Sequence, residues 1–180
     1  MLRIAHATTR EEFQAIMRLR AEMGQWDAAQ SQRLGLNPEE VLKFFYPGNE
    51  QTLRRENTLP AGGLLIASHA ENTAGCAAFR RLDLHSCELH HVYVRNQFRG
   101  RNIGRQLVEQ LIGMARGAGY QILRLETTTF MTEARALYAS LGFKLSDPYY
   151  DVPKPFEPFA VFMERPLTHP SSNISHSSAH

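Results

Sequence analysis

Cysteine is scarce in this chain of 180 residues: Cys76 and Cys87 are the only two. They are too few for a disulfide framework and stand in no metal-ligand spacing, which fits a reducing, intracellular setting. Long apolar runs are lacking as well. No stretch approaches the roughly 18 to 20 apolar residues that a membrane-spanning helix needs, and Met1-Leu2-Arg3-Ile4-Ala5-His6 contains no apolar signal core. The expectation is a cytoplasmic protein without a membrane partner. Neither sign of charge dominates, since 20 Lys and Arg face 18 Asp and Glu, and a net charge of +2 gives no global pull toward nucleic acid. What is present is 43% hydrophobic residues over a length that suits one core better than two, so residues 1–167 read as a single domain. The Ser- and His-rich segment 168–180 shows no periodicity and reads as a disordered tail.

Leu2 to Ala7 reads as a first strand, and Thr9-x-x-Glu12 is a capping box for a helix burying Phe13, Ile16, Met17 and Met23. From Gly24 to Asn37 the composition turns polar. Pro38 then introduces a helix with Val41, Leu42, Phe44 and Phe45, stopped by Pro47-Gly48. The stretch up to Leu59 carries little pattern. Gly63 to Ala70 and Ala74 to Leu82 read as a hairpin joined at Glu71-Asn72-Thr73, followed by a third strand from Cys87 to Val94. Leu107, Val108, Leu111, Ile112 and Ala115 recur at helical spacing until Gly117 and Gly119, and Tyr120 to Thr127 is the next strand. Strand, helix, strand in that order implies a right-handed crossover between parallel neighbours. A short helix with Ala134, Leu137, Tyr138 and Leu141 stops at Gly142, and a last strand spans Pro158 to Glu164.

The segment Phe98-Arg99-Gly100-Arg101-Asn102-Ile103-Gly104 leads from a strand into a helix. A helix N-terminus offers unpaired N–H groups and a partial positive charge, and here Arg99, Arg101 and Arg105 add cationic charge beside the same amides. The string fits neither the P-loop nor the dinucleotide-binding glycine pattern, so a different phosphate ligand is implied. Read without its flanks, it is equally an ordinary turn with solvated arginines.

The flanks decide between these. Leu89-His90-His91-Val92-Tyr93-Val94 followed by Phe98 to Leu107 resembles the acetyl-CoA signature of the GNAT N-acetyltransferase superfamily, Arg/Gln-x-x-Gly-x-Gly/Ala after a strand. Ala134 to Phe143 resembles the second block of that family, in the same order and separation. The resemblance covers Leu64 to Phe162. Asn102 replaces the middle glycine, and Met131 stands where many relatives carry Asn. It implies an α/β (α+β) fold, with a mixed, mostly antiparallel sheet of about six or seven strands flanked by helices. A parallel, splayed strand pair would form the acetyl-CoA site. Val92, Tyr93 and Val94 would offer main chain to the pantetheine arm, and Arg99, Gly100, Arg101, Asn102, Ile103, Gly104 and Arg105 would hold the pyrophosphate. Acetyl-CoA is the implied cosubstrate and an amine the acceptor, with no metal.

Within that resemblance Tyr138 matches the tyrosine near the CoA sulfur and takes the role of general acid, although an aromatic at helical spacing is also an ordinary core residue. The Tyr93 or Val94 N–H would meet the oxyanion. Glu88 is the candidate base: strand alternation puts it on one face with His90, Val92 and Val94, while a surface pair with Arg80 or Arg81 is the competing reading. His90 is the competing base. His90 and His91 should project to opposite strand faces, which argues against a metal. Tyr149-Tyr150-Asp151 reads either as acceptor contacts or as a packed aromatic turn. A CoA-sensing domain without catalysis is the alternative within this fold. An RNA-binding reading on Arg80, Arg81, Arg95, Arg99, Arg101 and Arg105 lacks an aromatic platform. The acceptor class stays open, with a small molecule favoured; an acyl group longer than acetyl and a homodimer stay open as well.

Overall fold

Thr9 closes the expected capping box: its Oγ1 accepts from the Glu12 N–H at 3.2 Å, and the Glu12 carboxylate accepts from the Thr9 N–H at 3.1 Å. In the computed structural model, which describes residues 1–167, the helix it opens is α1 (Arg10–Arg33). It runs through the polar stretch that gave no helical signal. The reason lies in what its inner face buries, which includes Arg20, Gly24, Asp27 and Ser31 beside Phe13, Ile16 and Leu19. A polar buried face erases the apolar periodicity by which helices are read. The segment 168–180 lies outside the described residues.

β1 (Leu2–His6) precedes α1, and α2 (Pro38–Phe45) and α3 (Glu50–Glu56) follow it. Then come β2 (Gly63–His69), β3 (Asn72–Arg81), β4 (Ser86–Val94), α4 (Ile103–Gly117), β5 (Ile122–Thr128), α5 (Thr132–Ser140), β6 (Lys144–Leu145) and β7 (Ala160–Pro166). The sheet order is β1-β2-β3-β4-β5-β7-β6, antiparallel at every junction except β4 with β5. The mostly antiparallel sheet with one parallel pair and flanking helices is thus present. α3 and β6 carried no signal in the sequence, and the β2–β3 turn falls at Ala70-Glu71, with Ala70 at φ 55°, slightly before the expected place. No helix among the described residues is long and apolar enough to cross a membrane.

Two apolar layers sandwich the sheet. Leu65, Ala77, Phe79, Leu89 and Leu123 pack with Leu107, Val108 and Leu111 of α4 and with Tyr138 of α5. Leu64, Ile66, Cys76 and Ala78 point the other way, onto Phe13, Ile16 and Leu19 of α1 and Leu53 of α3. Cys76 and Cys87 are both buried and free.

Alternation along β4 breaks at one residue. Cys76 pairs with Tyr93 and Ala78 with His90, so Ala77 of β3 stands opposite two β4 residues, His91 and Val92. This is a β-bulge, and His91 sits in it at φ 53°. Past the bulge the side-chain parity inverts: Val92 and Val94 turn to the α4 layer with Leu89, while Tyr93 joins the α1 layer. Glu88 therefore shares a face with His90 but not with Val92 and Val94, and His90 and His91 lie on one side, ring centroids 4.2 Å apart. Both expectations from strict alternation fail for this single reason.

Gly75 makes the strand crossing beside the bulge close, because a Cβ there would stand 2.4 Å from the Tyr93 carbonyl oxygen. Gly75→Ala should cost about 1–3 kcal/mol, read as a lower midpoint in denaturant unfolding.

Candidate active site

β4 and β5 pair at Ser86 with Ile122, Cys87 with Leu123 and Glu88 with Arg124, and then part. Between the parted halves lies a cavity of about 590 Å³, walled by residues 89–92 of β4 and 126–128 of β5 and reached by Tyr138 from α5. Its far side is built by α1, α2 and the Tyr149-Tyr150 turn. The polar stretch of α1 and the unreadable region after it thus supply one wall of the site.

At the outer end of the parted strands stands the N-terminus of α4. Asn102 precedes it in the left-handed conformation at φ 58° and Gly100 at φ 75°, so the Asn in place of glycine takes the backbone the loop requires. No side chain caps α4 or α5, whereas Thr9, Asn37 and Asn49 cap α1, α2 and α3. The first-turn amides of α4 are left for another acceptor. Arg99 and Arg101 are exposed beside them, and Arg99 Nε donates to the Val94 carbonyl at 3.1 Å. Arg105 donates to Ser140 Oγ at 2.7 Å, tying the loop to α5. A Cβ on Gly104 would meet nothing nearer than Leu137 Cδ2 at 3.6 Å. Ile103 is buried and anchors the turn.

Glu88 is 6% exposed, not a surface carboxylate. One oxygen accepts from Arg80 Nε at 2.7 Å and the other from the Tyr149 hydroxyl at 2.8 Å, while Arg80 also reaches Glu56 at 3.1 Å. The pairing with Arg80 is real, but its carboxylate end is buried while Arg80 stays half-exposed, and both carboxylate oxygens are engaged. His90 Nε2 donates to Asn57 Oδ1 at 2.7 Å, an amide oxygen having no proton to give. Burial and the neighbouring His91 press its pKa well below the usual histidine value; burial with Arg20 and Arg80 presses His91 down to about 3. Neither imidazole is a strong proton acceptor at neutral pH.

Two carboxylates that the sequence did not single out face the same cavity. Asp27 of α1 is 5% exposed; burial raises its pKa to about 6 against one hydrogen bond from the Tyr46 hydroxyl at 3.1 Å. Glu126 of β5 is raised by burial to about 7, although the Tyr150 hydroxyl donates to it. Asp27 Oδ1 and Glu126 Oε1 are both buried with no partner among the described residues. Tyr149 and Tyr150 pack edge-on against Phe162, so the aromatic turn and the contacts to the cavity are one arrangement. The Tyr138 ring packs on Phe143 and borders the cavity, and burial raises its pKa, keeping the hydroxyl protonated. No group of three His, Cys, Asp or Glu among the described residues is placed to hold a metal ion.

Residues 33–143 match the acetyltransferase (GNAT) family. The chain belongs to that family. An IAA acetyltransferase of Azospirillum brasilense is 33% identical over 133 residues, covering 72% of this chain and 85% of that protein. An uncharacterized N-acetyltransferase of Schizosaccharomyces pombe is 37% identical over 98 residues, 53% of this chain and 60% of the relative's length. In fold, a Salmonella typhimurium structure solved with acetyl-CoA superposes at TM-score 0.64 and 16% identity, over 97% of this chain and 99% of that one.

Asp27 carries a stability prediction. Its folded pKa of about 6 lies above the ordinary 3.8, so its ionised form penalises folding, and that penalty sets in as pH rises between these values. Asp27→Asn should stabilise the protein on the order of 2–3 kcal/mol at pH 8, with the gain vanishing below pH ~4, in paired denaturant titrations.

Proposed function

We propose that the protein transfers the acetyl group of acetyl-CoA to the amine of a small molecule, by direct attack within a ternary complex. One observation carries this reading: the parted β4 and β5 strands join an uncapped, arginine-flanked helix N-terminus to a solvent-open cavity lined by carboxylates. The names of the relatives and the acetyl-CoA in the Salmonella typhimurium structure support it.

In this reading the α4 amides of Ile103, Gly104 and Arg105, with Arg99, Arg101 and the Gly100 and Asn102 backbone, hold the pyrophosphate. Val92, Tyr93 and Val94 offer main-chain groups along the free edge of β4, and an N–H of that edge meets the oxyanion. The thioester thereby stops at the cavity mouth, beside Tyr138. The C–N bond forms as the C–S bond breaks, and Tyr138 gives its proton to the departing thiolate. Glu88, held by Arg80 and Tyr149, fixes the cavity wall, which leaves the amine's proton to another carboxylate. That proton matters, because an amine with pKa near 10.4 at pH 7 costs roughly 4–5 kcal/mol to present as free base.

Calorimetric titration with acetyl-CoA should give saturable binding in the micromolar range; no binding would end the acetyltransferase reading. Tyr138→Phe should lower kcat about 100-fold with acetyl-CoA affinity kept, since the hydroxyl acts in the transition state. An unchanged kcat would remove Tyr138 from the chemistry. Gly104→Val should weaken acetyl-CoA binding at least about tenfold with a near-normal Tm, because a Cβ there makes only ordinary contacts in the free protein while the branched side chain would crowd bound phosphates. Wild-type affinity in that variant would discredit the phosphate loop.

A further inference from the structure

We infer that Glu126 is the proton acceptor of the reaction, that Asp27 opposite it holds the acceptor's ammonium, and that the acceptor is a small primary amine on an apolar body. The inference rests on the acetyl-transfer reading above. It starts from two buried carboxylate oxygens, Glu126 Oε1 and Asp27 Oδ1, which have no partner among the described residues while the second oxygen of each is bonded to a tyrosine. A buried carboxylate oxygen left bare is costly, and two carboxylates with such oxygens on the wall of one cavity form a site for a group that only donates. An ammonium is such a group. A water-sized void of about 10 Å³ is lined by both carboxylates together with Ser31 and Thr128, and Thr128 Oγ1 is likewise unpartnered.

Position separates the two roles. Glu126 lies on β5 where that strand has parted from β4, two residues past the last pair at Arg124, so it borders the space into which the thioester must project. Asp27 approaches from α1, on the far wall. Phe44, Phe45, Met23, Leu82 and Met131 are among the apolar residues of the cavity lining, which suits an aromatic or alkyl body.

The other charged groups around Glu126 do not compete for the role. Arg80 on β3 is committed to Glu88 and Glu56, and Arg20 on α1 donates to the Pro47 and Gly48 carbonyls. Arg124 on β5 pairs with Glu164 of β7 at 3.3 Å. His90 and His91 on β4 are neutral, Tyr149 and Tyr150 are protonated, and Glu88 and Asp27 both push the Glu126 proton affinity up. The protons balance as follows. The ammonium gives one proton to Glu126; after C–N bond formation the nitrogen loses a second, which replaces the one Tyr138 gave to sulfur; Glu126 then releases its proton to water.

Glu126 works only when ionised, so kcat/KM for the amine should rise with pH through about 7. The test uses 2-phenylethylamine as acceptor, with wild type, Glu126→Gln and Asp27→Asn profiled from acid to alkaline pH. Glu126→Gln should lower kcat/KM about 100-fold and abolish the limb near 7, and Asp27→Asn should raise the amine KM about tenfold with the limb retained. An intact limb and a rate within about threefold in Glu126→Gln would overturn the role of Glu126. An unchanged KM in Asp27→Asn would overturn that of Asp27. Failure to acetylate 2-phenylethylamine by protein that binds acetyl-CoA would overturn the inference, whereas failure to bind acetyl-CoA is the failure of the underlying reading. Calorimetry with acetyl-CoA on both variants, expected at wild-type affinity, separates these outcomes from misfolding.

Discussion

Parallel pairing between β4 and β5 lasts from Ser86 to Glu88 and no further, and every part of the site lies downstream of that parting. A parallel strand pair that stays joined offers no free backbone and no space; one that separates exposes a row of N–H and C=O groups along each inner edge. The bulge at His91 coincides with this separation and turns Val92 and Val94 toward the α4 layer, while the strand's outer edge stays bonded to β3. Edge groups that would cost energy if buried bare are thus available to an extended, amide-bearing ligand. The Asn102 turn and the uncapped α4 then stand where the far end of such a ligand would arrive.

Electrostatics divides the cavity into a satisfied and an unsatisfied half. Glu56, Arg80, Glu88 and Tyr149 form a chain in which each charge has a partner, so the buried Glu88 carboxylate is compensated. Asp27 and Glu126 are each met by a single tyrosine hydroxyl and carry raised pKa values. Carboxylates perturbed by burial in a cleft are candidates for functional positions.

Much of the fold was legible because its signals are local. The Thr9–Glu12 capping box, Pro38 at the start of α2, the apolar spacing of α4 and Gly142 after α5, at φ 86°, each act within a few residues and appear where expected. The missed features depend on distant partners. The second half of α1 buries Gly24, Asp27 and Ser31 against a cavity, so its inner face is not apolar. The β4 bulge is marked by no glycine, asparagine or proline, only by His91 accepting a positive φ. Glu126 alternates with Leu125 and Thr127 as any half-exposed strand residue does; its environment comes from Asp27, Glu88 and Tyr150, far away in sequence. The left-handed turn and arginines before α4 were readable because backbone and charge lie within one short stretch, while the carboxylate wall is assembled from three separate segments.

The claim on which the account turns is that the space between β4 and β5 receives the thioester arm. A crystal structure of the protein with acetyl-CoA tests it most directly. The account predicts the pantetheine arm lying along Val92 to Val94 between the parted strands, the pyrophosphate against the amides that open α4, and the sulfur beside Tyr138. Acetyl-CoA bound elsewhere, or β4 and β5 paired along their full length in the complex, would contradict it.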